Sequence, residues 1–227
     1  MSQPSTEQRL SFEQLKARIP DLRAALVSDA MDSIGIHGQC LPRQIGPIQH
    51  GQHVVGYAFP VTVAAVTETP AVPYVGLLNA LDALREGDVF IASGLSDNLD
   101  VAIWGELISE ASKSRGAVGA VCNGYGRDTR LVRESGFPAF TRGSVPYDSN
   151  GRSEVIAHGQ PITIESVTIH SGDLVVGDDD GVVIVPSEYI STVIERALMK
   201  GTAESDFRNA VRSGMKATEA FQIHRVL

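Results

Sequence analysis

The chain has 227 residues, 43% hydrophobic and 20% charged, a balance that supports a substantial buried core. With 19 Lys and Arg against 27 Asp and Glu, its formal charge of −8 leaves no concentrated basic field for nucleic-acid phosphates. Two distant cysteines, Cys40 and Cys122, exclude a disulfide framework and a cysteine-rich zinc site; the reading is a reduced, cytoplasmic, soluble protein with no membrane partner.

Residues 1–10 show no basic stretch followed by an apolar one, so no export signal is expected. Ser11 to Gln14 has the form of a capping box, and Leu15 and Ile19 follow at helical spacing up to Pro20. A second helix is expected from Leu22 to about Ile34, with Leu22, Leu26, Ala30 and Ile34 on one face and Gly35 as its stop. The chain to Gly51 reads as loop. Val54 to Val66 is rich in β-branched and aromatic residues and predicts one long strand or two short ones around Pro60.

Val75, Leu77, Leu78, Leu81 and Leu84 recur at helical intervals, and Val89 to Ser93 reads as a buried strand. A polar loop is expected after Gly94, then a helix from about Gly105 to Ser114 stopped by Gly116, then a strand over Val118 to Val121. Past Asp128 the pattern is mainly β, with short strands at 138–140, 161–164, 167–169, 174–176 and 182–185. Ser187 is expected to cap a last helix with Ile190, Val193, Ile194, Ala197 and Leu198 inward, and a further amphipathic segment carries Phe207 and Val211.

The most informative local feature is Arg127 beside Asp128, at the end of an apolar run broken by Gly124 and Gly126. Those glycines can take positive φ and let backbone approach a ligand closely. Arg127 can hold a carboxylate or an enolate oxygen, and Asp128 offers hard oxygen to a divalent cation. Taken alone, the pair also fits an exposed ion pair. The amides of Gly105 to Ile108 stand at a helix start and can bind an anion, although Glu106 complementing the helix dipole would account for the segment equally well. Asp178 to Gly181 reads as a hairpin turn rather than a metal cluster. The six histidines lack metal-ligand spacing, and no nucleophile elbow, phosphate loop or dinucleotide fingerprint is present.

Trp104 to Leu107, Gly116 to Val121, Gly124 to Asp128, Gly136 to Phe140 and Gly172 to Pro186 occur in an order that resembles the RraA-like family, which includes class II 4-hydroxy-4-methyl-2-oxoglutarate / 4-carboxy-4-hydroxy-2-oxoadipate aldolases. The resemblance runs from about Ser28 to the C-terminus and departs from the usual pattern at Asn123, Tyr125 and Gly126. It implies an α/β fold of the swivelling β/β/α type over 1–227, with an N-terminal helical extension at 1–27 and C-terminal helices at 187–227 near a subunit interface. It also implies a homotrimer or homohexamer and a boundary site for Mg²⁺ or Mn²⁺ with the pyruvate part of a small 2-oxo acid. By that resemblance Arg127 contacts the pyruvate carbonyl or enolate, Asp128 binds the metal, and Gly105, Glu106, Leu107 and Ile108 bind the carboxylate. Glu204 is the nearest match to a glutamate contributed by a neighbouring subunit.

The activity so implied is a metal-dependent carbon–carbon lyase that releases pyruvate, with oxaloacetate decarboxylation as a side reaction. Lys113, between the first two of these segments, is the sole lysine near them, which favours a metal over a Schiff-base route. The second reading is a non-catalytic regulator that binds RNA-degradation proteins; the intact Arg127 and Asp128 pair favours the enzyme.

Overall fold

The computed structural model describes residues 11–68, 70–94 and 101–226. The loop expected after Gly94 and the N-terminal ten residues fall outside them. Seven helices are described: α1 (Phe12–Lys16), α2 (Ala24–Asp32), α3 (Val75–Ala83), α4 (Glu106–Ser114), α5 (Thr129–Ser135), α6 (Ile190–Arg212) and α7 (Ala217–His224). The strands are β1 (Gly46–Pro47), β2 (Val54–Ala65), β3 (Asp88–Gly94), β4 (Ala102–Trp104), β5 (Gly119–Cys122), β6 (Tyr125–Gly126), β7 (Ala139–Thr141), β8 (Ser153–His158), β9 (Ile162–Ile164), β10 (Val167–Ile169), β11 (Leu174–Asp178) and β12 (Gly181–Val185).

The main sheet runs β1-β7-β5-β3-β2-β11-β12, with β8 also on β2. Strands β2, β3, β5 and β7 are parallel neighbours, and α3, α4 and α5 make the crossovers that parallel pairing requires. The sheet is nearly closed. The Leu41 amide donates to Val182 and the Ile184 amide to Gln39, so residues 39–41 bond to β12, and a few residues later β1 pairs with β7 at the opposite end.

Alternation along the strands sorts the core. Phe90 and Ala92 of β3 pack toward the crossover helices with Leu81, Val132 and Phe137, whereas Val89 and Ile91 face the inside of the curved sheet with Val121, Phe140 and Ile184. The β9–β10 hairpin fills that inside with Ile162, Ile164, Val167 and Ile169. Each fully buried Val or Ile contributes about 2 kcal/mol by leaving water. A third cluster lies between α2, α6 and β11–β12, built from Leu26, Val27, Val176, Val193 and Ile194.

For Val54 to Val66 the alternative of one long strand holds, and β2 runs unbroken through Pro60. Its carbonyl accepts from Gly159, so its nitrogen, which carries no hydrogen, faces the junction where pairing with β11, ending at Tyr57, gives way to pairing with β8, starting at Val61. Several expectations need correction. The capping box of α1 forms as expected, but the helix stops at Lys16 and Pro20 lies in a short 3₁₀ turn. Helix α2 starts at Ala24, where the carboxylate of Asp178 accepts the amide at 2.8 Å and acts as a cap borrowed from the β11–β12 turn. Past Asp128 the chain is not β at once; α5 intervenes. Ser187 begins a 3₁₀ turn rather than capping, and α6 runs unbroken through the segment that carries Phe207 and Val211.

Candidate active site

A two-stranded parallel pair builds the site. Ala102 of β4 aligns with Tyr125 of β6, and Trp104 with Gly126. Parallel strands end on the same side, so Gly105 and the start of α4 emerge beside Arg127 and Asp128. The Arg127 amide donates to the Trp104 carbonyl at 2.9 Å and fixes this register. Trp104 is buried against Phe90 and Phe137, and its Nε1 donates to Ser109 Oγ, which in turn donates to the Gly105 carbonyl. The aromatic core thus holds the first turn of α4.

The glycines of this region serve spacing rather than the positive φ expected of Gly124 and Gly126, neither of which adopts it. A Cβ on Gly124 would stand 2.8 Å from Ile103, and one on Gly126 3.3 Å from Ile48. The left-handed residue is Asp128 itself, with φ of 54°, at the start of α5. A strained non-glycine conformation of this kind is held by its surroundings, here by the Val132 amide donating to the Asp128 carbonyl. A Cβ on Gly105 would lie 3.3 Å from Arg127 Cγ and 3.5 Å from Asp128 Oδ2, so the missing side chain leaves a cradle for the pair.

Arg127 is held from two sides. Its Nε lies 3.3 Å from Asp128 Oδ2 and an Nη lies 3.2 Å from Asp148 Oδ1, which leaves further guanidinium N–H groups for a ligand. Asp148 also accepts the Tyr74 hydroxyl at 2.5 Å. Burial alone would raise the Asp148 carboxyl, but donation from Tyr74, the charge of Arg127 and the amides of Ser149 and Asn150 outweigh it and hold it below the usual carboxylate range. The same hydrogen bond to Asp148, helped by burial, pushes the Tyr74 phenol above its ordinary value.

These residues border one cavity of about 280 Å³. Gly105, Glu106, Leu107, Ile108, Arg127 and Asp128 all line it, so the structure brings together the expected residues of one chain. The amides of Glu106, Leu107 and Ile108 have no intrahelical acceptor in the first turn of α4. Glu204 lies apart, on α6, where its carboxylate is 3.1 Å from Arg23. Tyr74, Asp148 and the leucines of α3 were not anticipated from the sequence.

Among the described residues, no group of three or more His, Cys, Asp or Glu could hold a metal ion. Mg²⁺ does not require such a group, because it is commonly bound through one or two carboxylates with water and substrate oxygens completing its shell. The half-exposed Asp128, over the Gly105 cradle, fits that mode. Asp178, Asp179 and Asp180 do not form a metal site: Asp178 accepts the amides of Ala24 and Asp180, and Asp179 accepts that of Gly51.

Comparison with known proteins agrees with this architecture. Residues 24–184 match the family described as RraA-like: Aldolase/RraA. Protein DlpA of Legionella pneumophila is 26% identical over 208 residues, which is 91% of this chain and 33% of DlpA, so the chain spans about a third of that relative. A protein of Halalkalibacterium halodurans named "Putative 4-hydroxy-4-methyl-2-oxoglutarate aldolase" is 29% identical over 195 residues, covering 86% of this chain and 87% of that one. The crystal structure of Streptomyces coelicolor RraAS2, described as an unusual member of the RNase ES inhibitor RraA protein family, superposes with a TM-score of 0.75 at 25% identity. It covers 89% of this chain and 98% of the other.

Proposed function

Because the chain belongs to the RraA-like (Aldolase/RraA) family, we propose that it is a class II pyruvate aldolase, cleaving a 4-hydroxy-2-oxo acid of the 4-hydroxy-4-methyl-2-oxoglutarate type. The observation that carries the reading is the meeting of Arg127, Asp128 and the free amides of α4 at one cavity. Those amides bind the C1 carboxylate, at the positive end of the helix dipole. Arg127 donates to the 2-oxo oxygen as charge develops there when the C3–C4 bond breaks, and its two carboxylate partners keep it aimed without reorganisation. Asp128 would hold Mg²⁺ or Mn²⁺, which supplies Lewis-acid polarisation of the 2-oxo group.

The assembly that goes with this reading is a homotrimer or homohexamer. Light scattering should give three or six copies of the 24.2 kDa chain, and a monomer would count against it. In such an assembly Glu204 acts at a neighbouring subunit's site. Its partner within one chain, Arg23, is half-exposed and can release it.

Pyruvate release from oxaloacetate tests the enzyme, since loss of CO₂ from oxaloacetate passes through the same enolate. Activity should vanish with EDTA, return with Mg²⁺ or Mn²⁺, and fall by about 10²-fold or more in Asp128→Ala and Arg127→Ala, as when a transition-state donor is removed. No metal-dependent release by wild type would leave the regulator reading, which the likeness to RraAS2 supports, as the better one.

A further inference from the structure

Two strained residues stand at opposite ends of one run of polar contacts. Among the described residues, four other than glycine adopt positive φ, and Tyr74 at 64° and Asp128 at 54° are the two that line the cavity. Tyr74 precedes α3 as Asp128 precedes α5. A bulky side chain in this conformation is costly and persists where its surroundings hold it, so the outlier at Tyr74 calls for a reason. Its hydroxyl gives one. It donates to Asp148 Oδ2 at 2.5 Å, Asp148 Oδ1 lies 3.2 Å from an Nη of Arg127, and Arg127 Nε lies 3.3 Å from Asp128 Oδ2.

These contacts carry unequal work. A planar guanidinium gripped at two of its nitrogens cannot turn, so Asp128 and Asp148 set the direction of its remaining N–H groups. Under the aldolase reading Asp128 also serves the cation, which leaves Asp148 as the carboxylate whose position aims Arg127. Asp148 comes from an irregular loop, where it also accepts the next amide, that of Ser149, at 2.8 Å. That bond orients the carboxylate within its loop but does not tie the loop to the fold. Tyr74 supplies a tie, because it leads into α3, whose Ala80 and Leu81 are buried in the core. A neighbouring subunit can add groups at this boundary, but these bonds all lie within one chain.

Resting on the aldolase reading, we infer that Tyr74 is a positioning residue of the cleavage: through Asp148 it fixes the direction from which Arg127 donates to the 2-oxo oxygen as enolate charge develops. It touches no reacting atom and exchanges no proton with the substrate. Its hydroxyl therefore matters more to the transition state than to the ground state, where the α4 amides hold the C1 carboxylate.

Tyr74→Phe removes the hydroxyl and keeps the ring. In the full chain with Mg²⁺, its kcat for pyruvate release from oxaloacetate should fall by ~10-fold with KM little changed, the scale of one charge-assisted hydrogen bond. Asp148→Asn, which cannot balance the guanidinium charge, should lose at least as much. Added to Arg127→Ala, Tyr74→Phe should cost less than about twofold, because the residue it acts through is already gone. An undiminished loss in that background, or an unchanged kcat in Tyr74→Phe alone, would overturn the inference. Calorimetric titration with oxalate, which has the planar, doubly charged form of the pyruvate enolate, gives a readout without turnover. Tyr74→Phe should weaken oxalate by ~10-fold and pyruvate much less, a difference that should disappear in Arg127→Ala. Equal weakening of both ligands would point to a merely structural bond and count against the positioning role. Selective weakening of oxalate, with no pyruvate release by wild type, would support that role and count against the aldolase reading alone.

Discussion

Asp148 joins Tyr74 to Arg127, and its charge keeps that link in place. A carboxylate whose folded pKa lies below its unfolded value contributes stability that is complete above the unfolded value, about 3.9, and is lost as pH falls through the folded one. The thermal midpoint of wild type should therefore exceed that of Asp148→Asn at pH 7 and converge with it below about pH 4, near the unfolded value. A gap unchanged down to pH 3 would refute the charge-based account. At this scale the sequence was partly legible. Arg127, Asp128 and Gly105 were found because each sits at the end of a local pattern. Tyr74 and Asp148 were not, because they reach Arg127 from 53 and 21 positions away and no spacing rule connects them. Asp128 takes the backbone conformation expected of its neighbouring glycines, whose small size instead admits Ile103 and Ile48.

Helix α3 carries Leu77, Leu78 and Leu81 and starts directly after Tyr74, all of which line the cavity, so its seating on β8 governs the cavity. Gly76 makes the contact: a Cβ there would stand 1.8 Å from the Val155 carbonyl oxygen. Alanine in a free helix is favoured over glycine by roughly 0.5–1 kcal/mol, but a clash with backbone cannot relax by side-chain rotation, and overpacking typically costs about 1–3 kcal/mol. The clash should win. Urea unfolding of Gly76→Ala should show a net loss, and 2-oxo acid binding should weaken as α3 shifts; a stabilised variant would mean that α3 is not seated through this residue. Long, strongly patterned elements such as β2 and α6 were readable. Strands of two or three residues, such as β4 and β6, carry too few positions for a period to register, and α5 offers only Leu131 and Val132 as apolar signal. The pair that builds the site was thus the least visible part of the fold.

On the scale of the molecule, the turn at Asp178 to Asp180 ties α2 and the loop at Gly51 to the sheet, which is why a run of acids that resembles a cation site serves as structure. The apolar runs from Val54 to Val185 showed how much of the sheet there would be. They did not show its curvature, because closure depends on pairings between residues about 140 and 95 positions apart, Gln39–Leu41 with Val182–Ile184 and Gly46–Pro47 with Phe140–Thr141. Residues 42–45 span the two ends, with Arg43 exposed between them. That span is a clasp. A single tryptic cut after Arg43 would leave every core strand intact and yet free both edges of the sheet at once, exposing rows of unpaired amides and carbonyls that invite other chains to add strands. Nicked protein should keep its helical and sheet signal while gaining a tendency to self-associate, measurable as concentration-dependent light scattering, and nicked protein that stayed dispersed would show that other contacts guard the edges. A four-residue connection outside the active-site cavity would then be what keeps the molecule from polymerising.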